Sequence, residues 1–348
     1  MNYTTIPVTS ANPNLRLLGR LDASRSPVAL DWTGSGLELR FRGSNLWAEL
    51  EAPVRSPVMW MAVLADGCPV ARFPVEPGVR FYPLVLGMEP EQSRTVTLIK
   101  ETQCMPDSPE ATIFLHSLRM EGAMEPLPAY DMKIEFIGDS LTSGEGVLAP
   151  KDNPEWITQW FSAFANYSFI ACRGLNAERR VLSQSGWGVC WAWDHNPAGS
   201  LPAFYDRIAG VLSGPAAEAR GCQKENDFSA WQPDIVCIRL STNDSGGMNT
   251  AGTFEKDRDT VVSGCLSFIR RVRELNPCAK IVWILPASDC HPELAAEAVS
   301  LAQQEGIRNL FTFTLPDYGP DECGARFHPN AAYNEKAGLL LASFLKSL

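Results

Sequence analysis

A serine that follows a short apolar run is the side chain of this sequence best placed to act as a nucleophile. Ser140 comes shortly after residues 134–137, which predict a β-strand, and lies near a predicted helix start. Backbone N–H groups at a helix start lack helical partners, so they stabilise negative charge on an oxygen bound there. Acyl transfer is therefore the predicted chemistry, provided that a base removes the hydroxyl proton. The alternative is that Asp139 and Ser140 only cap the helix.

Four histidines are the candidate bases, and their sequence contexts differ. His116 lies in a β-rich stretch, where we expect it to pack or to face solvent. His195 lies in a tryptophan-rich loop, where we expect it to line a pocket. His291 and His328 both follow predicted strands and precede predicted helices, so the residue pattern leaves both open as the base.

Residues 137–146 resemble the first block of the SGNH (GDSL) hydrolases, a superfamily named for its Ser, Gly, Asn and His residues. In that superfamily a glycine follows the next strand, an Asn-Asp pair ends a later strand, and a His-Pro pair lies near the C-terminus. The same features occur here in the same order, in residues 183–188, 240–244 and 327–330. The resemblance implies a serine esterase.

The resemblance assigns a role to one residue of each block. Ser140 is expected to be the nucleophile and His328 the general base. The backbone N–H groups of Ser140 and Gly186 and the side-chain amide of Asn243 are expected to form the oxyanion hole. Taken singly, Gly186 and Asn243 are equally well explained as turn residues at strand ends.

The sequence departs from the superfamily pattern beside the expected base. An aspartate usually stands three residues before the histidine, and this sequence has Ala325 at that position. Asp321 and Glu322 lie seven and six residues before His328 and would reach it only through a bent loop. We therefore expect a Ser-His dyad in which a backbone carbonyl accepts the Nδ1–H of His328. Ser241 replaces a common glycine and is expected to narrow the pocket slightly.

The elements that carry these blocks predict two domains. Residues 1–125 predict an all-β accessory domain, a sandwich or jelly roll, because short strands are separated by turns rich in glycine and proline. Residues 126–130 form a proline-rich linker. Residues 131–348 alternate strands with helices, which predicts a parallel sheet, and with the resemblance a three-layer α/β/α SGNH catalytic domain. Ligand sites in such sheets lie beyond the carboxyl ends of the strands.

Hydrophobic patterning places the individual elements. Predicted strands cover residues 37–42, 46–50, 59–64, 94–99, 134–137, 180–182, 234–240, 280–285 and 309–313. Predicted helices cover residues 155–175, 255–275, 291–306 and 330–346. Gly43 is one of the glycines that predict a turn between two strands.

Charge and composition exclude some partners. The formal net charge is −10 and the pI is about 5.0, which argues against nucleic acid or an anionic membrane as a partner. No apolar run approaches the roughly 20 residues of a membrane span. No cofactor is expected, and no metal, because no His-x-x-x-His motif or His/Cys cluster occurs.

The cysteines and the start of the sequence favour a reducing compartment. The ten cysteines are scattered without a Cys-x-x-Cys pair, and several lie in apolar stretches where cysteine acts as a small hydrophobe. The first residues show neither a basic nor an apolar signal-peptide region. We therefore expect a cytoplasmic protein, with secretion as the alternative if a leader has been lost.

The domain plan resembles carbohydrate esterase family 2, whose members remove acetyl groups from plant polysaccharides such as xylan and glucomannan. Residues 17–22, 37–43, 99–102, 185–189 and 231–234 carry this part of the resemblance. Some members of that family also lack the triad carboxylate. The resemblance implies an acetylated xylo-, manno- or gluco-oligosaccharide, or a polysaccharide, as the substrate.

Several side chains are candidates for substrate binding. Trp187, Trp191 and Trp193 follow Gly186 closely, and Phe327 precedes the candidate base. Flat aromatic rings stack on the apolar faces of sugars, and a pocket for a small ligand suits such a lining. The alternative is that these are core aromatics under a long loop. Asp139 is a further candidate.

Two other functions remain open at this point. An SGNH lipase or thioesterase would act on longer acyl chains, which requires a long apolar groove that the tryptophan-rich loop does not suggest. A carbohydrate-binding protein with an inactive hydrolase domain is the other alternative. The complete set of Ser, Gly, Asn and His residues argues against an inactive domain.

Overall fold

The structure is a computed structural model, and it describes residues 3–348. The chain forms two compact units. The first comprises Met1–Ala129 (described from residue 3), Ile157–Gln159 and Arg207–Lys224, and the second comprises Tyr130–Trp156, Trp160–Asp206 and Glu225–Leu348. Two short segments from the part predicted as the catalytic domain thus group with the β-rich unit.

The strands and helices are numbered in chain order. The strands are β1 (Thr4–Pro7), β2 (Leu15–Leu18), β3 (Val28–Leu30), β4 (Gly36–Ala52), β5 (Met59–Ala65), β6 (Cys68–Val75), β7 (Gly78–Val85), β8 (Ser93–Lys100), β9 (Ile113–Glu125), β10 (Met132–Gly138), β11 (Ala177–Ser183), β12 (Ile235–Arg239), β13 (Lys280–Leu285) and β14 (Leu310–Thr314). The α-helices are α1 (Ser140–Ser143), α2 (Tyr167–Leu175), α3 (Pro215–Arg220), α4 (Thr242–Ala251), α5 (Phe254–Leu275), α6 (Pro292–Gln304) and α7 (Ala331–Ser347).

The first unit is built from antiparallel strand pairs. The hydrogen-bonded path is β1-β9-β4-β8-β5-β6, while β2 and β7 also pair with β4 and β3 pairs with β9. Side chains alternate along the second half of β4, so that Leu46, Ala48 and Leu50 are buried. These three side chains belong to the apolar core cluster of this unit.

Strand β4 is longer than the sequence predicts. Residues 37–42 and 46–50 form one 17-residue strand, so the prediction of a turn at Gly43 was wrong. Gly43 pairs with Gly122 and Asn45 pairs with Glu121, which leaves Ser44 as an extra residue opposite β9. A β-bulge of this kind bends a strand without ending it.

Side-chain contacts explain why Arg207–Lys224 groups with the β-rich unit. The indole N–H of Trp32 donates to the Ile208 carbonyl at 2.7 Å, and the Arg25 guanidinium donates to the Ala219 carbonyl at 2.6 Å. The buried Arg220 guanidinium lies 3.4 Å from the carboxylate of Asp31. Hydrophobic periodicity does not predict polar contacts between distant residues. From the sequence, the segment is therefore grouped with its chain neighbours in the catalytic domain.

The second unit contains a five-stranded sheet in the order β11-β10-β12-β13-β14. Every neighbouring pair is parallel, which confirms the predicted parallel sheet. The chain first runs from β10 to β11 on one side and then crosses to β12 on the other. In open α/β sheets this reversal opens a crevice at the carboxyl ends of the strands. Ser140 follows β10 at that crevice, and Asn243 follows β12.

Helices cover the apolar side chains of the sheet. Helices α2 and α7 pack on buried residues that include Phe136, Cys237 and Val282. Helix α5 packs on α6, and α6 in turn contacts β13 and β14. The predicted helices at residues 255–275, 291–306 and 330–346 are confirmed as α5, α6 and α7.

The helix predicted at residues 155–175 was wrong over its first half, since only Tyr167–Leu175 is α-helical in this range. Asn166 has extended backbone angles, and its side chain accepts the backbone N–H of Ser168. That interaction starts α2 at Tyr167, because an asparagine cap satisfies a free N–H group at a helix start. Among residues 3–348, no helix is both long and apolar enough to span a lipid bilayer.

The contact between α2 and α7 yields a stability prediction. A methyl group on Gly338 would lie 2.6 Å from the side chain of Ile170, whereas one on Gly174 would lie 3.4 Å from the Ala342 methyl. We expect Gly338→Ala to lower the free energy of unfolding by about 1–3 kcal/mol through overpacking. Gly174→Ala should leave it unchanged or raise it by up to about 1 kcal/mol, because alanine favours helix.

Urea unfolding of the two single variants measures both effects. Equal effects of the two substitutions would show that α2 and α7 do not approach as closely at Gly338 as the structure places them.

Candidate active site

Ser140 is the first residue of α1, and only Asp139 separates it from the end of β10. Asp139 is the helix cap, and its Oδ1 accepts the backbone N–H of Leu141 at 3.0 Å. The backbone N–H of Ser140 meets no acceptor among residues 3–348. The serine hydroxyl therefore stands at a helix start whose free N–H group is available to a ligand.

Asp139 is buried, and its contact with substrate stays a prediction. Burial raises the pKa of this carboxyl, while the positive charge of Arg239 acts in the opposite direction. Its observed partner is the Leu141 N–H at the start of α1. Asp139 is thus the cap of the helix that begins at Ser140.

Gly186 lies in the loop that follows β11. Its φ is +78°, a conformation that glycine adopts without strain. Its backbone N–H meets no acceptor in the described part of the chain, and its carbonyl accepts the backbone N–H of Trp193 at 2.9 Å. The loop is anchored to the nucleophile segment at Gln184, whose N–H donates to the Gly138 carbonyl at 3.1 Å.

The buried carboxylate of Asp244 holds the rest of this loop. Its oxygens accept the backbone N–H groups of Val189 at 2.7 Å, Cys190 at 2.7 Å and Trp191 at 3.4 Å. Burial raises the pKa of Asp244 to about 6, and the N–H donors oppose that shift. In its ionised form this side chain therefore fixes three consecutive residues of the loop.

Asn243 is held beside the same loop. Its side-chain Nδ2 donates to the Trp187 carbonyl at 2.9 Å, which leaves the second N–H of the amide free to donate to a ligand. Ser241, just before α4, has a φ of 87°, which lies in the region that glycine favours. A glycine would adopt this conformation without strain.

His328 lies against the turn that follows α1. Its Nδ1 is 3.0 Å from the Arg326 carbonyl oxygen. This distance confirms the prediction that a backbone carbonyl accepts the Nδ1–H, and the resulting tautomer leaves Nε2 as a proton acceptor. Nδ1 is also 3.9 Å from the Glu145 carboxylate.

Backbone hydrogen bonds bring the segments of Ser140 and His328 together. The Glu145 N–H donates to the Ser140 carbonyl at 3.0 Å, and the Ala325 N–H donates to the Gly146 carbonyl at 3.3 Å. The turn that follows the nucleophile helix is therefore bonded to the loop that carries the imidazole. Asn243 and the Gly186 loop are joined through the Trp187 carbonyl, as described above.

The aromatic candidates divide by exposure. Trp193 is 58% exposed and Phe327 is 83% exposed, so both rings are open to solvent near the site. Trp187 is half-buried and packs against the ring of Phe204. Trp191 is buried, and its indole N–H donates to the Asp244 carbonyl at 3.0 Å. Trp191 therefore supports the loop, as in the alternative interpretation, while Trp193 and Phe327 are available to a substrate.

Solved structures with the same architecture exist. An acetyl xylan esterase, Est2A, from the rumen bacterium Butyrivibrio proteoclasticus is 30% identical to this chain with a TM-score of 0.95. The alignment covers 99% of this chain and 98% of that one. A family two carbohydrate esterase from Clostridium thermocellum, solved with cellohexaose, is 23% identical with a TM-score of 0.82, over 96% and 98% of the two chains.

The chain belongs to the family 2 carbohydrate esterases.

A curated relative agrees with this assignment. The cellulase/esterase CelE of Acetivibrio thermocellus is 26% identical over 347 residues, which is 97% of this chain. This chain spans only 40% of the length of that relative. No protein-family model matches the sequence.

The other histidines of this carbohydrate esterase have partners of their own. His291 begins α6, where its Nδ1 is 3.1 Å from the Glu293 carboxylate. His195 Nε2 is 3.0 Å from the Asp257 carboxylate, and His116 Nε2 is 2.8 Å from the Glu51 carboxylate. Only His328 among the four is bonded by its backbone loop to the turn after Ser140.

Asp321 and Glu322, the two carboxylates shortly before His328, contact other residues than the imidazole. The Asp321 side chain is 97% exposed and lies 2.7 Å from the Lys151 ammonium group, which lowers the pKa of that carboxyl. The Glu322 carboxylate accepts the Gly319 N–H and lies 3.4 Å from the Lys336 ammonium group. Neither is placed as a partner of His328. Within residues 3–348, no group of three or more His, Cys, Asp or Glu side chains is arranged to hold a metal ion.

Two carboxylates of the site were missed by sequence reasoning. Asp244 was visible beside Asn243 but was assigned no role of its own. Glu145 lies five residues after the nucleophile, whereas the superfamily pattern predicts a triad carboxylate shortly before the histidine. Neither role has a spacing rule, because each depends on how separate loops meet in space.

The contacts of Asp244 yield a prediction for activity. We expect Asp244→Asn to lower kcat toward the about 10²-fold loss typical of removing one oxyanion-hole donor. An asparagine presents an N–H group to backbone N–H donors, which displaces the loop that carries Gly186. Steady-state hydrolysis of nitrophenyl acetate measures the change, and Asp259→Asn, an exposed carboxylate on α5, is the matched control.

The pH dependence of stability tests the ionisation of Asp244 separately. Because its folded pKa of about 6 lies above the ordinary value of 3.8, its contribution to stability is complete below about pH 4. That contribution is lost as the pH rises through 6. The free energy of unfolding of the wild type should therefore fall relative to Asp244→Asn between pH 4 and 6. Parallel curves would contradict the burial assigned to this carboxyl.

Proposed function

We propose that this chain is a serine esterase that removes O-acetyl groups from plant-type carbohydrates by a Ser-His mechanism. One observation carries the proposal: the imidazole of His328 is fixed by a backbone carbonyl at 3.0 Å against the turn that follows Ser140. Two free backbone N–H groups and a half-free amide lie on the segments around that serine. A nucleophile, an oriented base and oxyanion donors are the parts that acyl transfer requires.

The first step forms an acetyl-enzyme. The Ser140 hydroxyl oxygen attacks the acetyl carbonyl carbon while Nε2 of His328 takes the hydroxyl proton. In the neutral ring, the Nδ1–H bond to the Arg326 carbonyl leaves Nε2 as the nitrogen that accepts the proton. The protonated imidazole then gives its proton to the sugar oxygen as the carbon–oxygen bond breaks, and the deacetylated sugar leaves.

The negative charge of the tetrahedral intermediate is held by N–H donors. We assign this role to the backbone N–H groups of Ser140 and Gly186 and to the Asn243 amide. Because these donors are fixed by α1, by the Asp244 carboxylate and by the Trp187 carbonyl, little reorganisation is needed when charge develops. Preorganised donors of this kind lower the activation barrier more than donors that must first reorient.

The second step releases acetate. Water attacks the acetyl-enzyme carbonyl while Nε2 of His328 removes a proton from it. The same donors hold the second oxyanion, and the imidazolium returns the proton to the Ser140 oxygen as the ester bond breaks. One water molecule is consumed, acetate leaves, and the free Ser140 hydroxyl and neutral His328 are restored.

The exposed aromatic rings support a carbohydrate as the leaving group. Trp193 is bonded through its backbone to Gly186, and Phe327 directly precedes His328. Exposed aromatic rings of this kind stack on the apolar faces of sugars. The relatives that carry acetyl xylan esterase or cellohexaose in their names support the same class of substrate. The formal charge of −10 suits a neutral sugar better than a nucleic acid or an anionic membrane.

The finer architecture and the location belong to the same proposal. A jelly-roll-like sandwich in the first unit is supported by β4, which pairs with β2, β7, β8 and β9 and can therefore serve two sheets. A three-layer second unit is supported by helices that cover the strands of its sheet. The ten cysteines are all free thiols, which suits a cytoplasmic location.

Two histidine variants and one serine variant test the mechanism. We expect Ser140→Ala and His328→Gln each to lower kcat on nitrophenyl acetate by about 10³-fold or more. His291→Gln should keep near-normal activity, because that imidazole is held at the start of α6. A His291→Gln loss as deep as that of His328→Gln would assign the base to the rival histidine and overturn the mechanism.

Substrate class is tested on natural and artificial esters. We expect acetate release from acetylated xylo- or manno-oligosaccharides, followed by NMR, which reports both the sugar and the position that loses its acetyl group. On nitrophenyl esters, kcat/KM for acetate should exceed that for octanoate by at least about tenfold. A preference for octanoate would instead support a lipase or thioesterase. Sugar binding without any hydrolysis would indicate an inactive binding protein.

A further inference from the structure

We propose that Glu145 and Arg326 together replace the missing triad carboxylate, with Glu145 acting as a positioning residue for His328. The inference rests on the proposed Ser-His mechanism and adds to it a source of negative charge. The sequence lacks an aspartate three residues before His328, and a neutral carbonyl alone stabilises an imidazolium less than a carboxylate does. The structure places a buried carboxylate on the side of the ring that the aspartate would occupy.

The position of Glu145 is the first observation. Its side chain is 4% exposed, and its Oε1 lies 2.8 Å from Nη1 of Arg326 and 3.9 Å from Nδ1 of His328. The shorter contact is a charge-assisted hydrogen bond, whereas the longer one exceeds hydrogen-bond distance. Glu145 therefore acts on the imidazole through space and through the residue whose carbonyl holds Nδ1–H.

The backbone of the histidine loop is the second observation. Arg326 has a φ of 53° and Phe327 has a φ of 60°, in the left-handed region that other residues than glycine rarely adopt. Two successive residues in that region persist only where surrounding contacts hold them. The Arg326 N–H donates to the Asn153 carbonyl at 2.8 Å, and the Arg326 guanidinium is held by Glu145. The Glu145 contact thus helps to aim the Arg326 carbonyl at the imidazole.

The charges around the imidazole are the third observation. Glu145 and Asp139 are carboxyl groups that interact with it electrostatically, and Arg326 is the cation paired with Glu145. The Glu145 carboxylate is buried, so water screens its field at Nδ1 only weakly. It favours the imidazolium that forms when His328 accepts the serine proton. The Arg326 side chain, 42% exposed, is the cation paired with this buried carboxylate.

Removing the charge of Glu145 without changing its shape tests the inference. We expect Glu145→Gln to lower kcat on nitrophenyl acetate by about tenfold or more, with KM changed less than about twofold, since the loss falls on the transition state. The acidic midpoint of the kcat/KM profile should move to lower pH, because the imidazolium loses a neighbouring negative charge. Glu145→Asp should recover part of kcat.

Removing the opposing charge should move the profile the other way. Arg326→Asn keeps the backbone carbonyl and tolerates a positive φ, but it frees the Glu145 carboxylate from its cation. The acidic midpoint should then rise. Asp321→Asn, which removes an exposed carboxylate of the same segment, should leave both kcat and the midpoint unchanged.

Several results would overturn the inference. A Glu145→Gln variant with wild-type kcat would show that the carboxylate has no part in the reaction. A lower kcat with an unmoved midpoint and no recovery in Glu145→Asp would show a purely structural ion pair. Thermal unfolding shows whether Glu145→Gln is folded. If it is not, an unchanged acidic midpoint of the kcat/KM profile in Arg326→Asn would likewise show that the ion pair is only structural. Failure of the proposed mechanism itself would appear instead as an active Ser140→Ala variant.

Discussion

The site depends on one buried carboxylate that accepts backbone N–H groups. Asp244 fixes Val189, Cys190 and Trp191, and with them the loop in which Gly186 presents its N–H and Trp187 presents its carbonyl to Asn243. The site lies at the carboxyl ends of β10 and β12, which are neighbours at the point where the strand order reverses. The Asp244 carboxylate fixes the loop whose N–H donors face that crevice. Burying a charge is costly, and the N–H donors offset that cost.

The base is held by a different set of contacts. A triad aspartate would both orient the imidazole and stabilise its charged form. Here the two tasks are separated. The Arg326 carbonyl sets the tautomer at 3.0 Å, and we assign the charge to Glu145 at 3.9 Å. The two strained residues before His328 are consistent with a loop shaped by function rather than by backbone preference.

The sequence predicts the parallel sheet and most of its helices, because apolar periodicity reports which faces are buried. It fails where local side chains decide. Asn166 starts α2 later than the aromatic pattern suggests, and Gly43 forms a bulge in β4 where a turn was expected. Within the site, the four motif residues follow from their resemblance to a known pattern. Asp244 and Glu145 do not, since their roles arise from contacts between segments about 55 and 180 residues apart. A single sequence contains no spacing that encodes such contacts.

The most direct test of the whole arrangement is a crystal structure of the chain after reaction with a small alkyl phosphonate ester, which mimics the tetrahedral intermediate. The account predicts phosphorus bonded to the Ser140 oxygen. One phosphonyl oxygen should lie within hydrogen-bond distance of the Ser140 N–H, the Gly186 N–H and the Asn243 amide, with Nε2 of His328 beside the leaving-group position. A phosphonate attached elsewhere, or a phosphonyl oxygen turned away from these donors, would contradict it.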